Sequence, residues 1–541
     1  MTAGPENQDA FPEVRRGGWV LSAGKLGLGT LLSRVLGVVR DILRAYLFGT
    51  GIAADAFTVA FRLPNMLRAL FAEGTLSAAF VPILAEVMEK GERDEWKRFV
   101  LNCASLLALT LVLVCLLAIL VAPYLIPIIA PGFARVPGKL ELTIQLTQWL
   151  FPYLLLIGMA TLAMATLNSL RHFTAPALSA AVMNVAMIAS MLWVCPRLGE
   201  GQVTQIQGLA YGVLAGGVLQ LAIQLPPLLR HRIAVRFRLR LQDPRLKRIG
   251  ILMLPGVIGM GVAEINAFVD TFLASLLPAG SVAALEYGHR VMQLPLGVVA
   301  VALGTAVLPT LARFAARGEQ ESLEQAFNQA LRLVLFILVP VTGVFLVLHA
   351  PLLQLLFERG AFAGGDSLAL TARAFIFYSV GLCCYGAAKV IVPVFYSRQN
   401  TRTPVRAAAT AMVANIVLNV ILMQWLGLGG LALATALASA INVTLLLRAL
   451  RRQYGLRAQR DLLRSAVRNL AAAALACALA AAGLLAGRSL EAATGLPGGL
   501  LPLGAGLLLA MAGYLAAARL LGSPELGFVI GLLRSARRHG G

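Results

Sequence analysis

The chain has 541 residues, of which 59% are hydrophobic and only 13% charged, with a mean hydropathy of +0.80. A water-soluble globule has too little interior to hide so much apolar surface. A soluble enzyme, a disordered chain and a disulfide scaffold are therefore excluded as the main reading, and a polytopic membrane protein remains. The formal charge of +21 invites a nucleic-acid partner, but the cations sit mostly in short tracts between apolar stretches, where membrane topology accounts for them.

The first dozen residues are polar, and the first apolar stretch carries charges that a cleavable signal would not. Crossing a bilayer takes about 20 apolar residues, more when the helix is tilted. On that measure fourteen spans are predicted, at about 20–48, 52–89, 99–130, 142–170, 175–196, 206–229, 247–277, 282–317, 323–350, 367–397, 404–426, 429–450, 461–487 and 498–521. The loops alternate in basic content. One side holds Arg15 and Lys25, then Lys90 to Arg98, Arg171, the run from Arg230 to Arg248, Arg313 and Arg317, Arg398 to Arg406, Arg448 to Arg468, and Arg534 to Arg538. The other holds only Arg135, Lys139, Arg197, Arg359, Arg373 and Arg488. The positive-inside rule then places both termini in the cytoplasm, which an even number of spans requires. All six cysteines lie in apolar stretches without metal or redox spacing.

Two halves of the chain resemble each other. Phe80-Val-Pro-Ile-Leu-Ala-Glu matches Val307-Leu-Pro-Thr-Leu-Ala-Arg, and Asn168-Ser-Leu-Arg-His-Phe-Thr-Ala-Pro matches Tyr396-Ser-Arg-Gln-Asn-Thr-Arg-Thr-Pro. Pro82 and Pro309 are 227 residues apart, Pro176 and Pro404 are 228. A repeat of that length holds six spans, so both copies share one topology, related by an axis along the membrane normal. The expected fold is all-α: two six-helix lobes in parallel pseudo-repeat plus two extra C-terminal helices. The boundaries are an N-terminal tail at 1–18, an N-lobe at 19–230, a basic linker at 231–246, a C-lobe at 247–452, the extra pair at 453–522 and a C-terminal tail at 523–541.

Charge inside the bilayer is costly and marks function. The first two spans concentrate it: Arg34, Arg40, Asp41 and Arg44, then Asp55, Arg62, Arg68 and Glu73. Arg34 and Asp41 are seven apart and share a helix face, as do Asp55 and Arg62. Arg290 and Lys389 follow in the second half, with Glu264, Asp270 and Glu286. Arg44, Arg62 and Lys389 suit structural ion pairs or snorkelling from span ends best. The set as a whole holds more guanidinium than carboxylate, which points to an anionic ligand, since the planar fork binds phosphate in bidentate fashion. Glycine runs at Gly24 and Pro255 follow no strand and fit helix packing better than phosphate binding. Asn415 and Asn419, one turn apart, could hold a cation with Glu264 or Asn266, although hydrogen bonds between helices explain them as well. No metal or ATPase motif appears, so energy is expected from a Na+ or H+ gradient, the membrane potential or substrate supply, with no cofactor.

Ser33-Arg-Val-Leu-Gly-Val-Val-Arg-Asp, Ala54-Asp-Ala-Phe-Thr-Val-Ala-Phe-Arg-Leu-Pro-Asn-Met-Leu-Arg and Phe71-Ala-Glu-Gly-Thr-Leu-Ser-Ala-Ala-Phe-Val-Pro closely resemble the MurJ (MviN) family. Tyr287-Gly-His-Arg-Val-Met-Gln-Leu-Pro-Leu-Gly and Phe395-Tyr-Ser-Arg-Gln-Asn-Thr-Arg-Thr-Pro extend the resemblance into the second half. It implies a flippase in the multidrug/oligosaccharidyl-lipid/polysaccharide exporter superfamily. Such a protein moves lipid II, undecaprenyl-pyrophosphoryl-MurNAc-pentapeptide-GlcNAc, across the bacterial inner membrane for peptidoglycan synthesis. By that resemblance Arg34, Arg68, Arg290 and Arg40 would bind substrate. Asp55, Glu73, Asp41 and Asn65 would be cavity partners or gates, and the extra pair would form a groove for the polyprenyl tail. His289 stands where the family often has an acidic residue, which puts carboxylate gating there in doubt. Peptidoglycan polymerases and division proteins are the partners such a role suggests. The alternatives are an O-antigen-type flippase, a cation-coupled drug antiporter and, more remotely, a membrane glycosyltransferase. The antiporter would want an acidic cavity, and the glycosyltransferase carboxylates near a membrane face for a metal and a base.

Overall fold

The computed structural model describes residues 16–71, 75–91, 94–233, 236–297, 301–455, 460–494 and 499–539, and every regular element among them is helical. The first half runs α1 (Arg16–Phe48), α2 (Ile52–Phe71), α3 (Thr75–Lys90), α4 (Glu95–Ile129), a 3-10 turn (Pro131–Arg135), α5 (Lys139–Leu150), α6 (Pro152–Ser169), α7 (Thr174–Ala189), α8 (Gln202–Ala222) and α9 (Leu225–Arg230). The second runs α10 (Pro244–Ser275), α11 (Ser281–Pro295), α12 (Val301–Arg317), α13 (Gln320–Phe357), a 3-10 turn (Gly360–Ala363), α14 (Ser367–Val380), α15 (Leu382–Ser397), α16 (Arg402–Leu426) and α17 (Leu428–Tyr454). Three more follow: α18 (Arg460–Thr494), α19 (Leu500–Leu520) and α20 (Pro524–His539).

Element order recurs between the halves, and so do the packing partners. α1 packs on α7 as α10 packs on α16; α2 on α5 as α11 on α14; α4 on α6 as α13 on α15; α7 on α8 as α16 on α17. The breaks recur too. α5 gives way to α6 at Phe151, where Pro152 removes an N–H from the helical ladder. α14 gives way to α15 at Gly381, with a bend of 45°. Close approach is bought by small residues: a Cβ on Gly29 of α1 would stand 2.8 Å from the Ala177 carbonyl oxygen of α7. Gly256, in the second glycine run, packs the same way against Thr75 of α3.

Nine helices among the described residues are long and apolar enough to cross a membrane, ten if α14 with α15 counts as one bent span. The predicted fourteen stretches all carry helix, but α1, α2 with α3, α10, and α11 with α12 stand outside that count. These are the elements that hold Arg34, Arg40, Arg62, Arg68, Glu264, Asp270, Glu286 and Arg290. The second predicted span, drawn as continuous over 52–89, is two helices, with 72–74 outside the described residues. The expected C-terminal tail is largely the helix α20, whose start is docked by a buried glutamate.

Candidate functional site

The charged helices meet around an open cavity of about 680 Å³, walled by α1, α2, α6, α7, α8, α10 and α11. Five arginines line it: Arg40 and Arg44 from α1, Arg62 and Arg68 from α2, and Arg290 from α11. Two carboxylates, Glu264 and Glu286, line it with them. A second pocket of about 580 Å³ adjoins it through Ser33, Arg40, Asn184, Arg290 and Gln293, and adds Arg34 and Asp41. The lining also carries the neutral polar side chains of Asn184, Ser179, Gln220 and Gln224.

The arginines are held in place by neighbours. Arg40 donates to Asp41 Oδ1 (2.8 Å) and, from Nη1, to Asn184 Oδ1 (3.0 Å). Asn184 in turn donates to the Ser33 carbonyl (3.0 Å), so α7 fixes the guanidinium on α1. Arg290 donates to Glu286 one turn earlier (2.9 Å) and lies 4.0 Å from Asp41. Arg62 lies 4.0 Å from the other oxygen of Glu286 and donates to the Ala267 carbonyl and Thr271 hydroxyl of α10. Arg68 donates to Asn65 Oδ1 (2.9 Å). Arg44 donates to the Tyr287 hydroxyl (3.2 Å) and lies over its ring, 4.7 Å from the centroid. Glu286 thus sits between Arg62 and Arg290, as Asp41 sits between Arg40 and Arg290.

One end of the cavity is sealed. Tyr287, Phe357 and Phe362 pack tilted and edge-on with centroids 5.4–5.8 Å apart, in one core cluster with Phe48. Asp55 lies at that end, fully buried. It pairs with Lys139 of α5 (2.6 Å) and accepts the N–H groups of Gly280 (2.7 Å) and Ala283 (2.8 Å) at the start of α11. A carboxylate at a helix N-terminus meets both unpaired N–H groups and the positive end of the dipole. At the other end the lining reaches Arg68, Met164, Pro176 and Gln224, where α2, α6 and α8 finish and α7 begins.

Of the residues singled out from sequence, Arg40, Arg68, Arg290, Asn65 and Glu264 line the main cavity, and Arg34 and Asp41 the adjoining pocket. Asp55 lines neither and belongs to the sealed end. Glu73 lies outside the described residues. Arg44 and Arg62, which the sequence suggests are span-end or structural cations, are cavity wall; Lys389 is not. His289 lines the cavity against Tyr378, with ring centroids 5.1 Å apart, and Arg290 takes its carboxylate from Glu286 instead. Asn266, Asn415 and Asn419 gather around Asp270. Asn419 donates to Asp270 Oδ1 (2.7 Å) and to Asn415 (2.8 Å), and Asn266 donates to Asp270 Oδ2 (3.5 Å). The lining amides Asn184, Gln220 and Gln224 gave no sequence signal, being uncharged residues in apolar stretches.

The family model described as lipid II flippase MurJ matches residues 44–505. The chain belongs to the lipid II flippase MurJ family. A "probable lipid II flippase MurJ" of Vibrio cholerae is 37% identical over 431 residues, 78% of this chain and 81% of the other. One of Rhizobium tropici is 36% identical over 418 residues, covering 77% and 78%. The lipid II flippase MurJ of Burkholderia cenocepacia is 33% identical over 428 residues, covering 78% and 82%. Among solved structures, a lipid II flippase MurJ in an inward closed conformation superposes with a TM-score of 0.75 at 24% identity, covering 92% of this chain and 98% of the other. An inward-facing multidrug resistance transporter of the MATE family, in the MOP superfamily, gives 0.65 at 17% identity, covering 80% and 98%. This family member is accordingly a multi-pass membrane transporter, a flippase, and not an enzyme.

Proposed function

We propose that this flippase carries lipid II from the cytoplasmic to the periplasmic leaflet of the bacterial inner membrane by alternating access, with the pyrophosphate held by the cavity arginines. The observation that carries the reading is five arginines facing two carboxylates in a cavity sealed at one end. In this reading Arg68, Arg290 and Arg40 meet the pyrophosphate from the main cavity and Arg34 from the adjoining pocket. Asp41, Asn65 and Glu73 orient or gate them, while Asp55 is a gate at the sealed end. Fourteen spans form two six-helix lobes, supported by the recurring order and packing of α1–α9 and α10–α17, with α18 and α19 as a track for the polyprenyl tail. The basic loops support a cytoplasmic position for both termini and for the open end of the cavity. The lobes then rock about the site. A Na+ or H+ gradient or the membrane potential drives the cycle, and Asp270 with Asn266, Asn415 and Asn419 is where a cation would be felt. Peptidoglycan polymerases or division proteins take up the product.

The test is leaflet-resolved transport of labelled lipid II in proteoliposomes. Replacing Arg34, Arg68 or Arg290 by Ala should each weaken binding by about 1.5–3 kcal/mol, the worth of a charge-assisted contact. Lys should rescue only partly, because it lacks the fork. Wild-type transport by all three Ala variants, at equal protein levels, would sink the proposal.

A further inference from the structure

Residues 236–241, Arg-Phe-Arg-Leu-Arg-Leu, lie in the connection from α9 to α10 and are outside any helix. Their backbone is nevertheless held along α4. The Arg238 N–H donates to Ser105 Oγ (2.8 Å), the Arg240 N–H donates to Asn102 Oδ1 (2.7 Å), and Asn102 Nδ2 donates back to the Arg240 carbonyl (3.0 Å). Amides two residues apart reaching the same helix describe an extended strap, in which alternate side chains take opposite faces. Arg236, Arg238 and Arg240 therefore share one face; Phe237, Leu239 and Leu241 share the other.

Both faces carry exposed side chains, Leu239 alone of the six being half-buried. Phe237 is 72% exposed and Leu241 66%. The neighbouring cations Arg245 and Arg248 are paired, with Glu95 and Asp243 and with Glu86 respectively. Among the described residues no carboxylate lies within ion-pair distance of Arg236, Arg238 or Arg240. The depth is informative as well. α4 has 35 residues, about 52 Å at 1.5 Å per residue, against a hydrocarbon core of about 30 Å. A centred α4 would leave about 11 Å at each end, so Asn102 and Ser105, about 10–15 Å from its start, stand where hydrocarbon begins.

We propose that the 236–241 strap is an interfacial site for anionic phospholipids, with Phe237 and Leu241 among the acyl chains and the three arginines on the headgroup phosphates. A merely topological run of cations needs neither alternating apolar residues nor a backbone pinned at the depth of the interface. Attraction of a basic residue to an anionic surface is worth about 1 kcal/mol, or roughly fivefold in binding for each arginine.

The test uses the full chain in proteoliposomes, with Phe237→Trp compared against the parent so that the difference reports the introduced indole. Brominated phosphatidylglycerol, dilute in a zwitterionic bilayer, should quench that difference signal more than brominated phosphatidylcholine at the same fraction. Replacing Arg236, Arg238 and Arg240 by Gln, or raising the ionic strength, should abolish the preference while leaving quenching by phosphatidylcholine in place. No quenching by either lipid, equal quenching by both, or a salt-insensitive preference would each overturn the proposal. Loss of the preference on adding soluble pyrophosphate at constant ionic strength would overturn it too, by assigning the strap to a substrate phosphate.

Discussion

Lys139 and Asp55 form a buried ion pair, 2.6 Å from Nζ to Oδ2, between the first turns of α5 and α2. Asp55 also accepts the Gly280 and Ala283 N–H groups, so the pair carries the start of α11 as well as its own two helices. Opening that end of the molecule means separating Asp55 from α11. The carboxylate would keep Lys139 when it lets go, which limits the cost of exposing it.

Removing one partner of a buried pair strands the other charge and costs about 3–5 kcal/mol, while removing both together can be close to neutral. Asp55→Asn and Lys139→Met should therefore each lower thermal stability strongly, and the double variant should regain most of the loss, since the Asn oxygen still accepts one N–H of α11. Additive losses in detergent-solubilised protein would show that the two side chains are not energetically coupled.

Glu286 competes with any anion for Arg62 and Arg290. Glu286→Gln keeps the shape and removes the charge, so binding of soluble pyrophosphate should tighten by about tenfold, the scale of one charge-assisted contact. Transport should slow, because the released arginines hold the ligand longer. Calorimetric titration of pyrophosphate checks the first part and single-turnover transport the second; unchanged or weaker binding would remove Glu286 from the site.

The arginine-rich cavity was legible in sequence because charge in an apolar stretch is rare and must face something polar. Arg44 and Arg62 are partnered, as the sequence suggests, but they line the cavity as well, for a reason that local spacing does not report. Each reaches a partner on another helix, Tyr287 and Thr271, and no spacing within α1 or α2 reports that. Asp55 and Arg62 share a helical face by spacing, yet Asp55 stands in the first turn of α2, level with the start of α11, and Arg62 two turns further, level with the cavity. Lys139 read as a loop cation because it begins its helix; only the fold shows that α2 covers it. The amides Asn184, Gln220 and Gln224 have the composition of ordinary helix-packing residues, and their place on the wall comes from tertiary structure alone.

α20 is docked through Glu525, which accepts from Arg332 Nε (2.6 Å), Ser465 Oγ (2.7 Å) and Ser523 Oγ (2.6 Å). Burial pushes this carboxyl up, but the two hydroxyls and the guanidinium together hold it below its ordinary value of 4.5. A carboxylate depressed in the folded state contributes stability above its unfolded pKa and loses it as pH falls through the folded one. Docking of α20 should thus be intact at neutral pH and weaken progressively below about 4.5. Proteolysis between α19 and α20 should speed up over that range, and Glu525→Gln should already be susceptible at pH 7. A cleavage rate that does not respond to pH or to the substitution would contradict this account.

Sidedness is open to a direct check. Glu200, ahead of α8, and Arg452, near the end of α17, are both exposed. With both termini cytoplasmic, Glu200→Cys should react with an impermeant thiol reagent added outside intact cells, and Arg452→Cys should react only after permeabilisation. Reversal of the two would invert the topology.

The remaining expectation separates two roles for α18 and α19. The pair packs on α13: Tyr514 donates to the Phe336 carbonyl (2.6 Å), and Phe336 and Leu348 are buried under Ala472, Ala476, Ala480 and Leu503. The Phe336 carbonyl would ordinarily accept the N–H of residue 340, but that residue is Pro340 and has none. Tyr514 thus satisfies an acceptor that the helix cannot, in a solvent that offers no substitute. The outer face of the pair is apolar, with Leu463, Leu470, Leu485 and Leu508 at least 60% exposed. Lipid chains can cover the apolar surface of α13 if the pair is removed, since they are as apolar as leucine; they cannot cover the carbonyl. Truncation after Gln459 should therefore give a less stable core that still binds soluble pyrophosphate but no longer moves the full-length lipid. Tyr514→Phe, which removes only the brace, should reproduce the lost stability and keep transport. If Tyr514→Phe abolishes transport as completely as truncation, bracing is the role of the pair. If the truncated protein is folded and moves full-length lipid II at the normal rate, the track for the tail lies elsewhere.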